Sequence, residues 1–216
     1  MLPIDGHPFI EYLVCQLSAY GVGTIVISCG YLGETIRSYF RDGEAWGVEI
    51  RYTSEETPLG TGGAIRLASG LVDNESFLVL NGDSVCDVDL GELLEAASGD
   101  LMGAMTLTRV SDGGRYGTVE LGADRLVAAF RGDGSSAGPA LVNAGVYALR
   151  KALVRLIPRT GPSSLERDIL PTLTGRMKGV VSDGYFIDMG IPETLEQLRQ
   201  DSGPLLRAVR RPESFG

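Results

Sequence analysis

Two aspartates stand where strands would deliver them to a ligand. Asp83 closes the run "SFLVLNGD" after a glycine that lets the main chain come close to a bound group, and Asp188 ends the strand in "YFIDMG", two residues before Gly190. In an open α/β sheet, ligands gather at the carboxyl ends of the strands. Two carboxylates brought there by neighbouring strands make a Mg2+ site facing phosphates, because Mg2+ takes one or two carboxylates and completes its shell with phosphate oxygens and water. A lone aspartate in such a place more often caps a helix or turn. Asp87 and Asp89 lie close by and compete for the metal role. A second constellation is "EETPLGTGGAIRL", in which Gly60, Gly62 and Gly63 precede a helical stretch. It fits neither G-x-G-x-x-G nor G-x-x-x-x-G-K-[ST], and no lysine follows it. Taken alone, the turn reads as well as a plain tight loop as it does as a ligand loop. His7, the only histidine, sits beside Pro8 and is read as solvent-facing or packed rather than catalytic.

The elements that must hold these residues follow from periodicity. Residues 8–21 and 33–43 carry apolar side chains at helical spacing and end at glycines, while 24–28 and 48–53 read as strands. A helix over 62–69 precedes the buried strand that ends at Asp83, and another helix covers 90–98. Wholly apolar strands separated by helices indicate an α/β fold, a mostly parallel sheet flanked by helices. "GAMTLTRV", "YGTVEL", "RLVAAF" and "LVNAGVYAL" then come with short turns between several of them, which predicts an antiparallel addition. Helical stretches near 150–157 and 163–170 lead to the strand "YFIDMG", taken as the last, and to a helix opened by Pro192. The pattern predicts one domain over 1–201 and a poorly ordered tail over 202–216.

Composition excludes several classes. A net charge of −9 argues against nucleic-acid binding. No apolar run approaches the ~20 residues of a membrane span. Cys15, Cys29 and Cys86 are odd in number and far apart, which suits a reduced, cytoplasmic protein without a secretory leader.

Seven stretches, "MLPIDGHPFIEY", "PLGTGGAI", "FLVLNGDS", "RYGTV", "VNAGVYAL", "SSLERDILP" and "YFIDMGIPE", come in the order and spacing of the sugar-1-phosphate nucleotidyltransferases. The chain resembles most the D-glycero-D-manno-heptose 1-phosphate guanylyltransferases, with the mannose-1-phosphate guanylyltransferases next. The resemblance covers nearly all of residues 1 to about 200. It implies a Rossmann-like nucleotidyltransferase fold, Mg2+ as cofactor, and Asp83 and Asp188 as its catalytic ligands. It implies that Leu59, Gly60, Thr61 and Gly62 hold the base and ribose, with Gly82 letting the main chain approach the nucleotide. Asn143 and Glu166 match residues that bind sugar hydroxyls, and Gly117 and Gly145 match positions where the backbone nears the sugar or its phosphate. Glu166 also reads as a first-turn glutamate after Ser163 or Ser164, and Arg115 as a site or a surface residue.

The implied reaction joins an NTP and a sugar 1-phosphate into an NDP-sugar and pyrophosphate, chiefly by positioning and charge stabilisation. Glu55 precedes Leu59 by four residues, and its carboxylate suits the two-donor edge of guanine, so GTP is expected; Glu56 takes the role if the register differs by one. Two departures stand out. The family's segment G-G-x-G-T-R-L-x-P, with the lysine-proline after it, has no counterpart, which predicts an incomplete N-terminus and a nearly inactive chain. Gly132 and Asp133 stand where the family has glutamate and lysine, with Arg131 as the nearest cation. A non-catalytic nucleotide-sugar-binding homologue and a UTP-dependent uridylyltransferase are the alternatives, and a homo-oligomer stays open.

Overall fold

The computed structural model describes residues 1–30, 33–55, 57–132, 138–190 and 192–209. The chain opens with a hairpin of β1 (Pro3–Ile4) and β2 (His7–Pro8), turned through Asp5 and Gly6 at positive φ. Helix α1 (Phe9–Ala19) buries Tyr12, Leu13, Cys15 and Leu17. Strand β3 (Thr24–Cys29), helix α2 (Gly33–Phe40) and strand β4 (Glu49–Ser54) form a parallel crossover unit, the two strands in register from Thr24–Glu49 to Cys29–Ser54. Helix α3 (Gly60–Ala68) leads to β5 (Ser76–Leu80), and a short turn through Asp83 leads to β6 (Ser84–Cys86). Helix α4 (Leu90–Ala96) starts at Asp89, whose Oδ1 accepts from Glu92 N at 3.0 Å. That contact settles Asp89 as a helix cap.

The second half supplies most of the main sheet. Strands β7 (Gly103–Val110), β8 (Thr118–Leu121), β9 (Val127–Arg131) and β10 (Ala140–Arg150) precede a 3-10 helix at Lys151–Leu156 and a short π-helix at Leu165–Ile169. Strands β11 (Met177–Ser182) and β12 (Phe186–Asp188) and helices α5 (Pro192–Gln200) and α6 (Gly203–Ala208) complete the described residues. The sheet runs β11-β7-β10-β8-β9, with β5 on β10 as well. β10 is antiparallel to β5, β7 and β8, whereas β11 lies parallel to β7. The fold is α/β as expected, with a larger antiparallel share than the periodicity suggests. Apolar strand composition reports burial on both faces and is blind to strand direction.

Two elements depart from the sequence pattern. Strand β11 is hidden in it, because Lys178 and Gly179 interrupt the apolar run. Its register on β7 nevertheless buries Met177 and Val180. The tail also does not end the folded body at 201. Leu205 and Val209, four residues apart at α6 and its end, are 0% and 1% exposed and pack with Phe9, Tyr12 and Ile187. Burying each such side chain contributes about 1.5–3 kcal/mol, enough to dock a short helix. Among the described residues no helix is long and apolar enough to cross a membrane.

Candidate active site

The β6–β12 ladder brings the two aspartates together. Asp188 pairs with Ser84, and Met189 N donates to Asp83 O at 2.8 Å, so both aspartates stand at one end of the two-stranded unit. Partial burial, followed by the charges of Asp188 and Glu166, holds the Asp83 carboxyl above the usual carboxylate range. Asp188 Oδ1 accepts from Gly190 N at 2.8 Å, which fixes that carboxylate in its turn. Asp87 follows the far end of β6, four residues or roughly 13 Å of extended chain from Asp83. Asp83, and not Asp87, is therefore the aspartate that shares an end of the ladder with Asp188.

The glycine turn is built against Ser163. Gly62 N donates to Ser163 O at 2.8 Å, and Ser163 N donates to Leu59 O at 2.8 Å. Gly60 has φ +71, and a Cβ there would lie 2.5 Å from Ser163 O; at Gly62 it would lie 3.0 Å from Ser163 Oγ. These two glycines therefore have a reason internal to the fold, beyond any approach to a base. Gly82 differs, since a Cβ there would meet nothing within 4 Å. Glu55 Oε2 accepts from Leu59 N at 2.8 Å, so the carboxylate is tied to the turn that opens α3. Glu56, Asp133 and the side chain of Arg115 lie outside the described residues.

Asn143, Gly145 and Glu166, three of the proposed sugar residues, belong to one hydrogen-bonded group. The β10 ladder shifts register between Asn143 and Tyr147, with Gly145 at φ +74 inside the bulge. A Cβ at Gly145 would lie 2.7 Å from Ser84 Oγ and 2.9 Å from Asn81 Nδ2. Glycine there lets the turn carrying Asp83 pack onto β10, and Asn81 N donates to Gly145 O at 2.8 Å. Asn143 Oδ1 accepts from Gly145 N at 3.1 Å, and its Nδ2 donates to Tyr147 Oη at 2.6 Å. Tyr147 Oη donates in turn to Glu166 Oε1 at 3.4 Å. Burial first, then the Glu166 charge, pushes the Tyr147 hydroxyl far above its ordinary range, so it stays protonated as a donor. Glu166 Oε2 accepts from Thr61 Oγ1 at 2.8 Å and from Ser164 Oγ at 3.1 Å. Ser164 also caps its own turn, accepting from Arg167 N at 3.2 Å, so the capping reading holds for Ser164 while Glu166 joins this group.

Gly117 is half-buried just before β8, next to Tyr116. Tyr116 lines a cavity of about 440 Å³ together with Tyr185, Asp188, Gln197 and Asp201. Arg131 is engaged with Glu120 across β8–β9, Nε to Oε1 at 2.9 Å, which removes it as a free cation. His7 Nδ1 lies 3.1 Å from Glu11 Oε2, a packing role. Sequence reading misses Tyr147, Asn81 and the part Ser163 plays in shaping the glycine turn. The available signal was a hydroxyl within an otherwise apolar strand, in the case of Tyr147.

The nucleotidyl transferase family model matches residues 1–202. The D-glycero-alpha-D-manno-heptose 1-phosphate guanylyltransferase of Aneurinibacillus thermoaerophilus is 35% identical over 93% of this chain and 87% of its own length. The mannose-1-phosphate guanylyltransferase of Mycobacterium tuberculosis is 32% identical over 89% of this chain and 55% of its own length. A crystal structure of HddC from Yersinia pseudotuberculosis complexed with GMP-PN superposes with a TM-score of 0.83 at 31% identity, covering 94% of this chain and 88% of that one.

Proposed function

The chain belongs to the nucleotidyl transferase family, and on that premise we propose that it transfers the guanylyl group of GTP to a heptose or mannose 1-phosphate. A phosphate oxygen of the sugar phosphate attacks the α-phosphorus of GTP, the bond from that phosphorus to the bridging oxygen breaks, and pyrophosphate leaves. The nucleophile is already an anion, so no general base is needed. The observation that carries the reading is that Asp83 and Asp188 stand at one end of the β6–β12 ladder, with the Asp188 and Glu166 charges raising Asp83. Two carboxylates that repel each other form an oxygen-only donor set suited to Mg2+, which when bound neutralises phosphate charge and aligns in-line attack. Leu59 to Gly62 would seat base and ribose, Gly82 leaves open space for the nucleotide, and Asn143 and Glu166 would take sugar hydroxyls. Gly117 and Gly145 would give the sugar phosphate close access to main chain.

Three buried cysteines, none of them in a disulfide, fit a reducing compartment, and we place the protein in the cytoplasm. The test is pyrophosphate release with Mg2+, mannose 1-phosphate or heptose 1-phosphate, and each of GTP, UTP and dTTP. Release that is fastest with GTP supports the reading. Faster release with UTP replaces guanylyl by uridylyl transfer, and nucleotide-sugar binding without release replaces catalysis by a sensing role.

A further inference from the structure

Thr61 is committed through its hydroxyl to the opposite side of the site. Its Oγ1 donates to Glu166 Oε2 at 2.8 Å and accepts from Leu165 N at 2.8 Å, contacts that span more than a hundred residues of sequence. A hydroxyl has one proton to give, and here Glu166 takes it. Only the main chain of Thr61 is then free to donate to a nucleotide. Beside it, the Gly62–Ser163 and Ser163–Leu59 hydrogen bonds zip the glycine turn to the segment that carries Glu166. Glu166 is further held by Ser164 and Tyr147, yet the Thr61 contact is the shortest of the three, at 2.8 Å against 3.1 and 3.4 Å.

We infer that Thr61 is a positioning residue: its hydroxyl orients the Glu166 carboxylate toward the sugar, so the loop proposed for the nucleotide also sets the sugar site. The inference rests on the sugar-binding reading of Glu166. Calorimetry with α-mannose 1-phosphate, heptose 1-phosphate and GDP as separate probes tests it. Thr61→Val keeps the shape and removes the hydroxyl; it should weaken sugar phosphate binding about tenfold and GDP binding by distinctly less. Thr61→Ala should repeat the pattern, and Thr61→Ser should restore binding, which a purely packing role for the side chain would not require. Unchanged sugar phosphate binding in both hydroxyl-free variants overturns the inference, as does an equal loss of GDP in a variant that melts like the wild type. Glu166→Gln separates the two levels. If that variant binds sugar phosphate normally, or the wild type binds neither sugar phosphate, the reading of Glu166 falls and the inference with it. If Glu166→Gln is weak while the Thr61 variants are normal, only the inference falls.

Discussion

Asp188 lies opposite Ser84 in the β6–β12 ladder, one residue from Asp83, and its charge raises the Asp83 carboxyl. The main-chain bond from Met189 N to Asp83 O, 2.8 Å long, closes the same corner. Replacing Asp188 by asparagine keeps the shape, removes one of the two proposed metal ligands and relieves the repulsion on Asp83. Turnover should fall by at least ~100-fold, with Mn2+ binding in the presence of GTP weakened in parallel. The melting temperature should hold or rise by about 2 °C. Unaltered Mn2+ affinity, read by electron paramagnetic resonance, would remove Asp188 from the metal site.

Glu55 offers a test of base choice. One carboxylate oxygen is occupied by Leu59 N at 2.8 Å. The other is the acceptor that guanine's donor edge would use. Glu55→Gln keeps an acceptor for Leu59 N and places an amide donor toward the base, which suits uracil. The ratio of GDP to UDP affinity should drop about tenfold, measured by competition binding. A ratio that stays constant would transfer base selection to another residue.

Gly60 and Gly82 are both glycines of the proposed nucleotide site, yet their substitutions should part. Alanine at 60 must adopt φ +71 and push against Ser163 O at 2.5 Å, a cost of about 2–4 kcal/mol. Alanine at 82 meets nothing within 4 Å, so stability should change by less than ~0.5 kcal/mol while nucleotide affinity falls. Urea unfolding and GDP titration of both variants read the two effects separately. Equal destabilisation would mean that the Ser163 contact is not what requires glycine at 60.

How much of this is legible in the sequence depends on the range of the contacts. Asp83, Asp188 and the alternation of strands and helices follow from local pattern, because strand ends and apolar runs are local signals. Asp87 and Asp89 cannot be separated from Asp83 by spacing alone. A helix cap at Asp89 and a three-residue strand before Asp87 set both apart from the turn that carries Asp83. Contacts between distant segments are invisible there: Thr61 reaches Glu166, and Ser163 shapes the glycine turn. The bulge at Gly145 is also hidden, since a glycine inside a strand pattern signals a bulge or a close approach without saying which. Strand β11 and helix α6 owe their existence to partners, β7 and the α1 core, rather than to their own propensities.

The thiol of Cys86 gives a prediction in pH. Its side chain is fully buried on β6, among Val88, Leu90, Leu93 and Ala97. Burial pushes the thiol up to about 11 from 9.0, with the Ser182 hydrogen bond opposing and the Asp87 charge adding a little. The fold therefore favours the neutral thiol. As pH rises from about 9 to about 11, the unfolded chain loses this proton first, so the unfolded state binds fewer protons and stability falls. Below about pH 9 both states are protonated and the group contributes no slope. The loss reaches on the order of 2 kcal/mol by the top of that window. Urea unfolding at pH 8 and pH 10.5 should show the wild type losing about that much more than Cys86→Ala, since tyrosines and lysines titrate alike in both proteins. The cavity left by the substitution lowers both alanine values equally and cancels in the comparison. Parallel pH dependences for the two proteins would show that Cys86 is ionised without cost in the folded state, and that the β6 environment is wetter than its burial indicates.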